Sequence, residues 1–481
     1  TVCNRGPEPA TLHVLPTVWF RNDWAGWISR PSEKPMLKQA EGMAGVSTIE
    51  AVHPKLGTYR LYSEGDVPLL FTENETNDAL LVPQHPNPSP HVKDGINNFV
   101  VHGQQEAINE ARVGTKAAAH YQITIDSGKE QVIRLRLGAA GSATNSGNPF
   151  GPSFDTLFAE RLQEADEFYA SVIPGSLDSD AANVMRQAIA GMLWSKQFYY
   201  YDLDLWLDEH GADPFKPTRR APRNEHWHHM YNADIVSMPD KWEYPWYAAW
   251  DLAFHVLALT LVDEDFGKEQ LDLILRGSYL HPSGQLPAYE WNFGDVNPPV
   301  HAWSTMFTYR LEKLRKGQGD LDWLERSFHK LLMNFTWWVN RKDRSGNNAF
   351  EGGFLGLDNI GVFDRSSPLP TGGYLEQADG TAWMALFCQN MLEIAIELTL
   401  AKPVYIDMAV KFIEHFLWIA ASLARAGGEG MWDEEEGFFY DVLRLPDGRA
   451  QRLKVRSMVG LLPRCAVTVF EGRLLEKHPE V

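Results

Sequence analysis

The stretch Ser153-Phe154-Asp155-Thr156-Leu157-Phe158-Ala159-Glu160-Arg161-Leu162 marks a change in the kind of secondary structure that the chain encodes. From Ser153, which we interpret as a helix cap, apolar residues recur at the three- and four-residue spacing of an amphipathic helix. Before it, short alternations of apolar and polar residues predict antiparallel strands. These alternations lie at 11–15, 58–62, 99–102, 121–125 and 131–137.

The helical spacing continues through the rest of the chain. It predicts eight helices, near 153–173, 178–200, 246–262, 266–280, 297–316, 321–341, 376–401 and 404–426. Helix pairs joined by loops rich in Trp, Asp, Asn and Gly are typical of an (α/α)6 barrel, with a superhelical array as the alternative. Because such a barrel has twelve helices, we expect it to be incomplete at its C-terminal end.

The predicted domains follow from this change of pattern. Residues 138–153 are rich in Gly, Ser, Asn and Pro, which is typical of a linker. We therefore expect a truncated, antiparallel β-sandwich-like domain over 1–140, a linker with a helix over 141–177, and an incomplete (α/α)6 barrel over 178–481. The fold class is mainly α, and the chain reads as a fragment of a longer protein.

Composition restricts the partners. A formal net charge of −19 argues against nucleic acid, which is bound through clustered Lys and Arg. The longest apolar stretch, 252–262, is far shorter than the roughly 20 residues of a membrane span. Three cysteines are too few for a disulfide framework and favour the cytoplasm. The 17 Trp, 16 Tyr and 24 Phe suit a sugar-binding cleft, although an ordinary large core would also use them.

One carboxylate stands out among these rings. Asp251 follows Trp250 at the predicted start of an apolar helix. Burial there would raise the pKa of Asp251, which a general acid requires. The alternative is that Asp251 merely caps the helix or forms a salt bridge. Spacing alone does not distinguish Asp251 from Glu243 and Glu290, which lie in similar loops.

A second group of polar residues lies among glycines between Glu351 and Ser366. Asp358 and Asn359 are adjacent, and such a pair can hydrogen-bond vicinal hydroxyls of a hexose. The same residues would equally suit a turn that uses their local backbone hydrogen bonds.

Three other clusters have simpler interpretations. The histidines of 226–229 lack a placed carboxylate or cysteine, so we predict no metal site. The acidic run 433–441 predicts a solvated turn followed by a short strand. Arg219, Arg220 and Arg223 could bind a carboxylate such as glycerate, but pairing with nearby acids is the simpler expectation.

Four motifs, in order, resemble glycoside hydrolase family 63, which includes mannosylglycerate hydrolases and mannosyl-oligosaccharide glucosidases. Residues 250–254, Trp-Asp-Leu-Ala-Phe, are similar to its general-acid motif. Residues 284–287 and 297–303 resemble its loop beside the cleaved sugar. Residues 356–364 resemble its Gly-Met-Asp-Asn-Ser-Pro-Arg-Trp-Asp stretch, from which Ile360-Gly361-Val362 depart.

The resemblance implies an inverting hydrolysis of an α-glucoside or α-mannoside, without a cofactor, in which Asp251 is the general acid. The family's general base is a Glu late in the barrel, which we expect beyond Val481, leaving Glu290 and Glu351 as poor substitutes. The alternatives are a non-catalytic sugar-binding protein and another sugar enzyme on the same barrel, such as an epimerase. The implied substrate-binding residues are Trp250, Glu290, Asn297, Trp303, Asp358, Asn359, Phe363 and Asp364.

Overall fold

The computed structural model describes residues 1–25, 32–41, 43–82, 84–141, 147–213, 215, 222–238, 240–241, 244–341, 343, 346–351, 360–365, 367–425, 430–470 and 472. The chain divides into two compact units, residues 1–168 and 169–481. Helices and strands are both present in quantity. In the described parts of the chain, no helix has the length and apolar character needed to cross a membrane.

The first unit is built of antiparallel strands. The strands are β1 (Val2–Cys3), β2 (Ala10–Val14), β3 (Thr17–Trp19), β4 (Met36–Gln39), β5 (Val46–His53), β6 (Gly57–Glu64), β7 (Leu69–Thr72), β8 (Val113–Gly114), β9 (Lys116–Ala119), β10 (Tyr121–Ile125), β11 (Glu130–Gln131) and β12 (Leu135–Ala139). A five-stranded sheet has the order β12-β6-β5-β4-β8, and a three-stranded sheet has the order β3-β9-β7. Strand β10 pairs with β2, and β11 pairs with β1.

Three helices begin in this part of the chain: α1 (Asp78–Leu81), α2 (Gly95–His102) and α3 (Pro152–Val172). The predicted strand at 99–102 is wrong, because these residues form the end of α2. That helix ends at Gly103, which adopts a left-handed φ of 68° that glycine tolerates best. Helix α3 begins at Pro152, so Ser153 lies inside the helix instead of capping it.

The second unit is mainly helical. Most of its predicted helices are present, and their bounds differ from the prediction by a few residues. The helices are α4 (Ser179–Trp194), α5 (Leu203–Glu209), α6 (Ala249–Val262), α7 (Glu264–Ile274), α8 (His301–Lys316), α9 (Leu321–Val339), α10 (Ala378–Thr399) and α11 (Ile406–Leu423). The strands are β13 (Lys196–Asp202), β14 (Tyr231–Ser237), β15 (Tyr374–Glu376), β16 (Trp432–Asp433), β17 (Phe438–Phe439), β18 (Asp441–Arg444) and β19 (Ala450–Leu453).

Helix α10 lies at the centre of the second unit and packs against α8, α9 and α11. Nineteen of its 22 residues are buried. Aromatic rings join the neighbouring helices, since the Phe335 ring centroid lies 5.3 Å from that of Phe387 and 5.0 Å from that of Phe412. The apolar stripes read from the sequence therefore meet in one continuous core.

Aspartates cap four of these helices, α4, α5, α7 and α9. The Asp178 carboxylate accepts the Ala181 backbone N–H at 2.8 Å, and Asp202, Asp263 and Asp320 each accept the equivalent bond from the backbone N–H three residues later. Each bond satisfies a backbone donor that has no partner within the helix.

An antiparallel ribbon of β13 and β14 follows α4. The predicted helix over 178–200 is therefore wrong beyond Trp194. Exposure alternates along β13, where Phe198 is 64% exposed and Tyr199 is 4% exposed, as expected for a strand with one buried face.

Gly284 allows the loop before α8 to approach α9 closely, and replacing it should be costly. Its φ is 94°, and an added Cβ would lie 2.5 Å from the Met333 carbonyl oxygen. Gly317 also has a positive φ, 83°, but an added Cβ would have open space. We expect Gly317→Ala to lower the free energy of unfolding by about 1 kcal/mol, and Gly284→Ala to lower it by about 2 kcal/mol more. Urea denaturation of both variants tests this, and equal losses would contradict the close approach.

Candidate active site

The start of α6 carries the predicted general acid. Ala248 precedes the helix and gives it no side-chain cap. Instead, the Ala249 N–H donates to the Ala288 carbonyl at 2.9 Å, and Ala248 forms an antiparallel bridge with Tyr289. The loop around residue 288 is therefore held against the first turn of the helix, two residues before Glu290.

Asp251 is the third residue of α6 and is half-buried. Burial raises its pKa above the ordinary value for aspartate, although a backbone hydrogen bond acts in the opposite direction. Among the described residues, no Lys or Arg forms an ion pair with it. The helix N-terminus favours the ionised form, but desolvation is the larger effect. Asp251 therefore retains its proton to a higher pH than an exposed aspartate.

Trp250 and Trp303 are joined through a third ring. The Phe254 centroid lies 5.7 Å from Trp250 and 5.5 Å from Trp303. Trp250 and Trp303 are partly exposed, and Phe254 is exposed. The structure thus places both predicted tryptophans in one aromatic row across α6 and α8.

The main-chain carbonyl of Glu290 is held by two side chains. Its carbonyl accepts Arg223 Nη1 at 2.6 Å and Asn224 Nδ2 at 3.0 Å. Its carboxylate accepts the Tyr199 hydroxyl at 3.4 Å. Tyr199, Arg223 and Asn224 were not among the predicted substrate-binding residues, since nothing in their spacing connects them with Glu290.

Asn297 lines a cleft at the start of α6. Its Oδ1 atom is buried and accepts no hydrogen bond from the described residues. Burial lowers the pKa of the neighbouring His301 to about 3, so that ring is neutral. An amide oxygen and a neutral imidazole suit an uncharged, hydroxyl-bearing ligand. The cleft is lined by Ala249, Leu286, Pro287, Ala288, Val296, Asn297, Pro298, Pro299, His301, Asn334, Trp337 and Trp338.

Phe363 lies in a different pocket from Asn297. Its neighbours there are mostly apolar and include Tyr440, Leu453 and Val459. Asp364 is exposed, and its carboxylate accepts the Ser367 hydroxyl at 2.7 Å. Asp358 and Asn359 lie outside the described residues.

A third pocket is connected through its lining residues with the cleft of Asn297 and with the pocket of Phe363. Arg341 lines it together with Arg365. The Arg341 guanidinium also lies over the Trp337 ring, 4.6 Å from its centroid. Trp337 belongs to the cleft of Asn297, and Arg365 also lines the pocket of Phe363. Trp337, Arg341 and Arg365 therefore connect the cleft of Asn297 with the pocket of Phe363.

A buried ion cluster anchors the Phe363 loop. The Arg365 guanidinium donates to both carboxylate oxygens of Asp379, and one of its nitrogens lies 3.7 Å from Asp441. The side chains of Arg365 and Asp379 are 1% and 0% exposed. Burial raises the pKa of Asp441 to about 6, against the opposing effect of Arg365. Sequence reasoning missed this cluster, since it interpreted residues 433–441 only as a solvated turn followed by a short strand.

The histidines of 226–229 are engaged in local contacts. His228 Nδ1 lies 2.6 Å from Asp204, and the rings of His229 and His281 are 5.4 Å apart. In the described parts of the chain, no three His, Cys, Asp or Glu side chains are grouped so as to hold a metal ion.

The three arginines near residue 220 are only partly described. Arg219 and Arg220, like Glu243, lie outside the described residues. Among the described residues, Arg223 pairs with main-chain carbonyls and indole rings, and not with the acids that we expected.

Comparison with known proteins relates part of the chain to a glycoside hydrolase family. Residues 244–355 match the family described as mannosylglycerate hydrolase MGH1-like glycoside hydrolase domain. The uncharacterized protein YMR196W of Saccharomyces cerevisiae is 42% identical over 520 residues, which cover 99% of this chain and 48% of that protein. The chain thus spans about half the length of this curated relative.

Two solved structures are similar over part of the chain. One is the GH63 mannosylglycerate hydrolase of Thermus thermophilus in complex with glucose, with 19% identity, a TM-score of 0.39, and coverage of 51% of this chain and 71% of that one. The other is a GH78 family rhamnosidase of Bacillus sp. GL1, with 16% identity, a TM-score of 0.36, and coverage of 59% and 26%. The matched segment, which includes Asp251, Glu290 and Asn297, is thus similar to a glycoside hydrolase domain.

Proposed function

We propose that the full-length protein is an inverting glycoside hydrolase that cleaves an α-linked glucoside or mannoside, in an oligosaccharide or a glycosylglycerate. Asp251 is the general acid that protonates the departing oxygen. The observation that carries this proposal is the half-buried Asp251, whose pKa is raised by burial, within the glycoside hydrolase match. It lies two residues after Ala249, which lines the cleft of Asn297. Because a general acid must hold its proton near the working pH, burial prepares this carboxyl group for that role.

The remaining site residues receive roles by their chemistry. Asn297 and Glu290 bind sugar hydroxyls, since an amide or a carboxylate can accept hydrogen bonds from them. Trp250 and Trp303 shape the pocket with their rings. Phe363 also shapes the pocket, and Asp358, Asn359 and Asp364 bind further sugar hydroxyls. The helices of residues 178–481 form part of an (α/α)6 barrel, and the first 140 residues form a β-sandwich-like domain.

A substrate panel tests the proposed function. The full-length protein should release free glucose or mannose from at least one member of a series of α-glucosides, α-mannosides and glycosylglycerates. Failure of every substrate, from protein that is folded by circular dichroism, would contradict the proposal.

The pH dependence tests the role of Asp251. Since only the protonated acid acts, kcat/KM should fall about tenfold per pH unit above the raised pKa of Asp251. Asp251→Asn should remove this alkaline decline from whatever activity remains. Asp272 is the matched control, because burial also raises its pKa and it lies on α7, bonded to Trp323. An alkaline decline that persists in Asp251→Asn would contradict the assignment.

A further inference from the structure

Trp291 exposes its indole ring beside the proposed active site. It is 55% exposed, which is a large apolar area to leave in contact with water. It follows Glu290 directly and lies three residues after Ala288, whose carbonyl holds the start of α6. Its ring centroid lies 6.4 Å from that of Trp246, which is partly exposed and precedes the same helix.

Arg223 and Asn224 fix this exposed ring in place. The Arg223 guanidinium lies between two indoles, 5.0 Å from the Trp291 centroid and 4.7 Å from that of Trp206. Its Nη1 donates to the Trp291 carbonyl at 3.0 Å as well as to that of Glu290.

The buried Asn224 holds the backbone on both sides of Trp291 by hydrogen bonds. Its side chain donates to the Glu290 carbonyl and accepts the Phe293 N–H at 2.9 Å. Asn224 itself adopts a left-handed φ of 63°, which asparagine tolerates better than most residues. The backbone on both sides of Trp291 is therefore held by the same two residues.

A fixed, exposed indole is suited to bind a flat apolar surface. The Trp291 side chain is already held in one conformation, so stacking of a ligand on it costs little additional conformational entropy. The C–H face of a pyranose ring is such a surface, and its edge hydroxyls can remain in water. The Arg223 guanidinium is already occupied by carbonyls and indoles, so this surface suits an uncharged sugar ring better than an anion.

We propose that Trp291, held by Arg223, is a stacking platform for the sugar ring on the leaving-group side of the bond that is cleaved. This inference rests on the proposed glycosidase function. The platform is a binding element that acts on the second ring of the substrate, and Arg223 is its positioning residue.

The test uses two substrates of the full-length protein that share the cleaved sugar. One is a disaccharide, and the other is the glycosyl fluoride, whose leaving group is too small to reach the platform. Trp291→Ala should raise KM for the disaccharide about tenfold, as for truncation of an aromatic anchor, and leave KM for the fluoride unchanged. Trp291→Phe, which retains a ring, should restore most of the affinity.

The matched control is Trp418, which is 51% exposed on α11. Trp418→Ala should change neither KM. The platform proposal would be contradicted if Trp291→Ala changed KM equally for both substrates, or left KM for the disaccharide unchanged.

A binding measurement separates this inference from the proposed function. Calorimetry with a thio-linked disaccharide of the same sugar, which is not hydrolysed, should show about tenfold weaker binding in Trp291→Ala than in the wild type. If the protein cleaves no glycoside but this difference is found, the platform stands and the hydrolase proposal fails. If both variants bind equally, or neither binds, the platform is wrong.

Discussion

Asp251→Asn is expected to lower kcat by about 10²–10⁴-fold for a disaccharide, because an amide cannot give a proton to the departing oxygen. KM should change little, since asparagine keeps the size of the side chain. Steady-state kinetics of the purified full-length protein measure both constants.

The leaving group distinguishes acid catalysis from a structural role. A dinitrophenyl glycoside or a glycosyl fluoride needs little protonation to depart, so Asp251→Asn should retain most of its activity on such substrates. A variant that was merely misfolded would lose both activities together. Equal losses on the two kinds of substrate would therefore contradict the assignment of Asp251 as the general acid.

Arg365→Met is expected to lower the free energy of unfolding by about 3–5 kcal/mol, because it leaves the buried carboxylates of Asp379 and Asp441 without their counter-ion. Urea denaturation followed by tryptophan fluorescence measures the change.

A surface pair provides the control for this prediction. Arg161 and Glu164 form an ion pair whose side chains are 61% and 57% exposed. Arg161→Met should cost less than about 1 kcal/mol, as is usual for exposed pairs. The double variant Arg365→Met with Asp379→Leu should recover part of the loss, because it removes one of the two carboxylates. A loss below about 1 kcal/mol in Arg365→Met would show that the cluster does not anchor the loop.

The long helices could be predicted from the sequence because one apolar stripe suffices to mark them. The bounds of α9, predicted as 321–341 and observed as Leu321–Val339, differ only where the helix ends. Strand β13 was missed for a definite reason. Phe198 and Tyr200 are exposed while Tyr199 is buried, yet all are aromatic, so the alternation of burial leaves no alternation of polarity in the sequence.

The candidate site could be predicted only where its residues are close in the sequence. Asp251 and its aromatic neighbours lie in one short segment at a helix start. Arg365, Asp379 and Asp441 come together across 76 residues of chain, through side-chain contacts that no local pattern encodes. Arg223 was noticed as part of a basic group, but its position between two indoles depends on the tertiary fold.

Proton NMR of the sugar released by the full-length protein tests the central claim most directly. The anomeric protons of the first product report on which face of the sugar the water attacked. Inverting hydrolysis of an α-linked glycoside predicts that the β-anomer appears first and then equilibrates with the α-anomer. Appearance of the α-anomer first, or binding of glycosides without any release of sugar, would contradict the account.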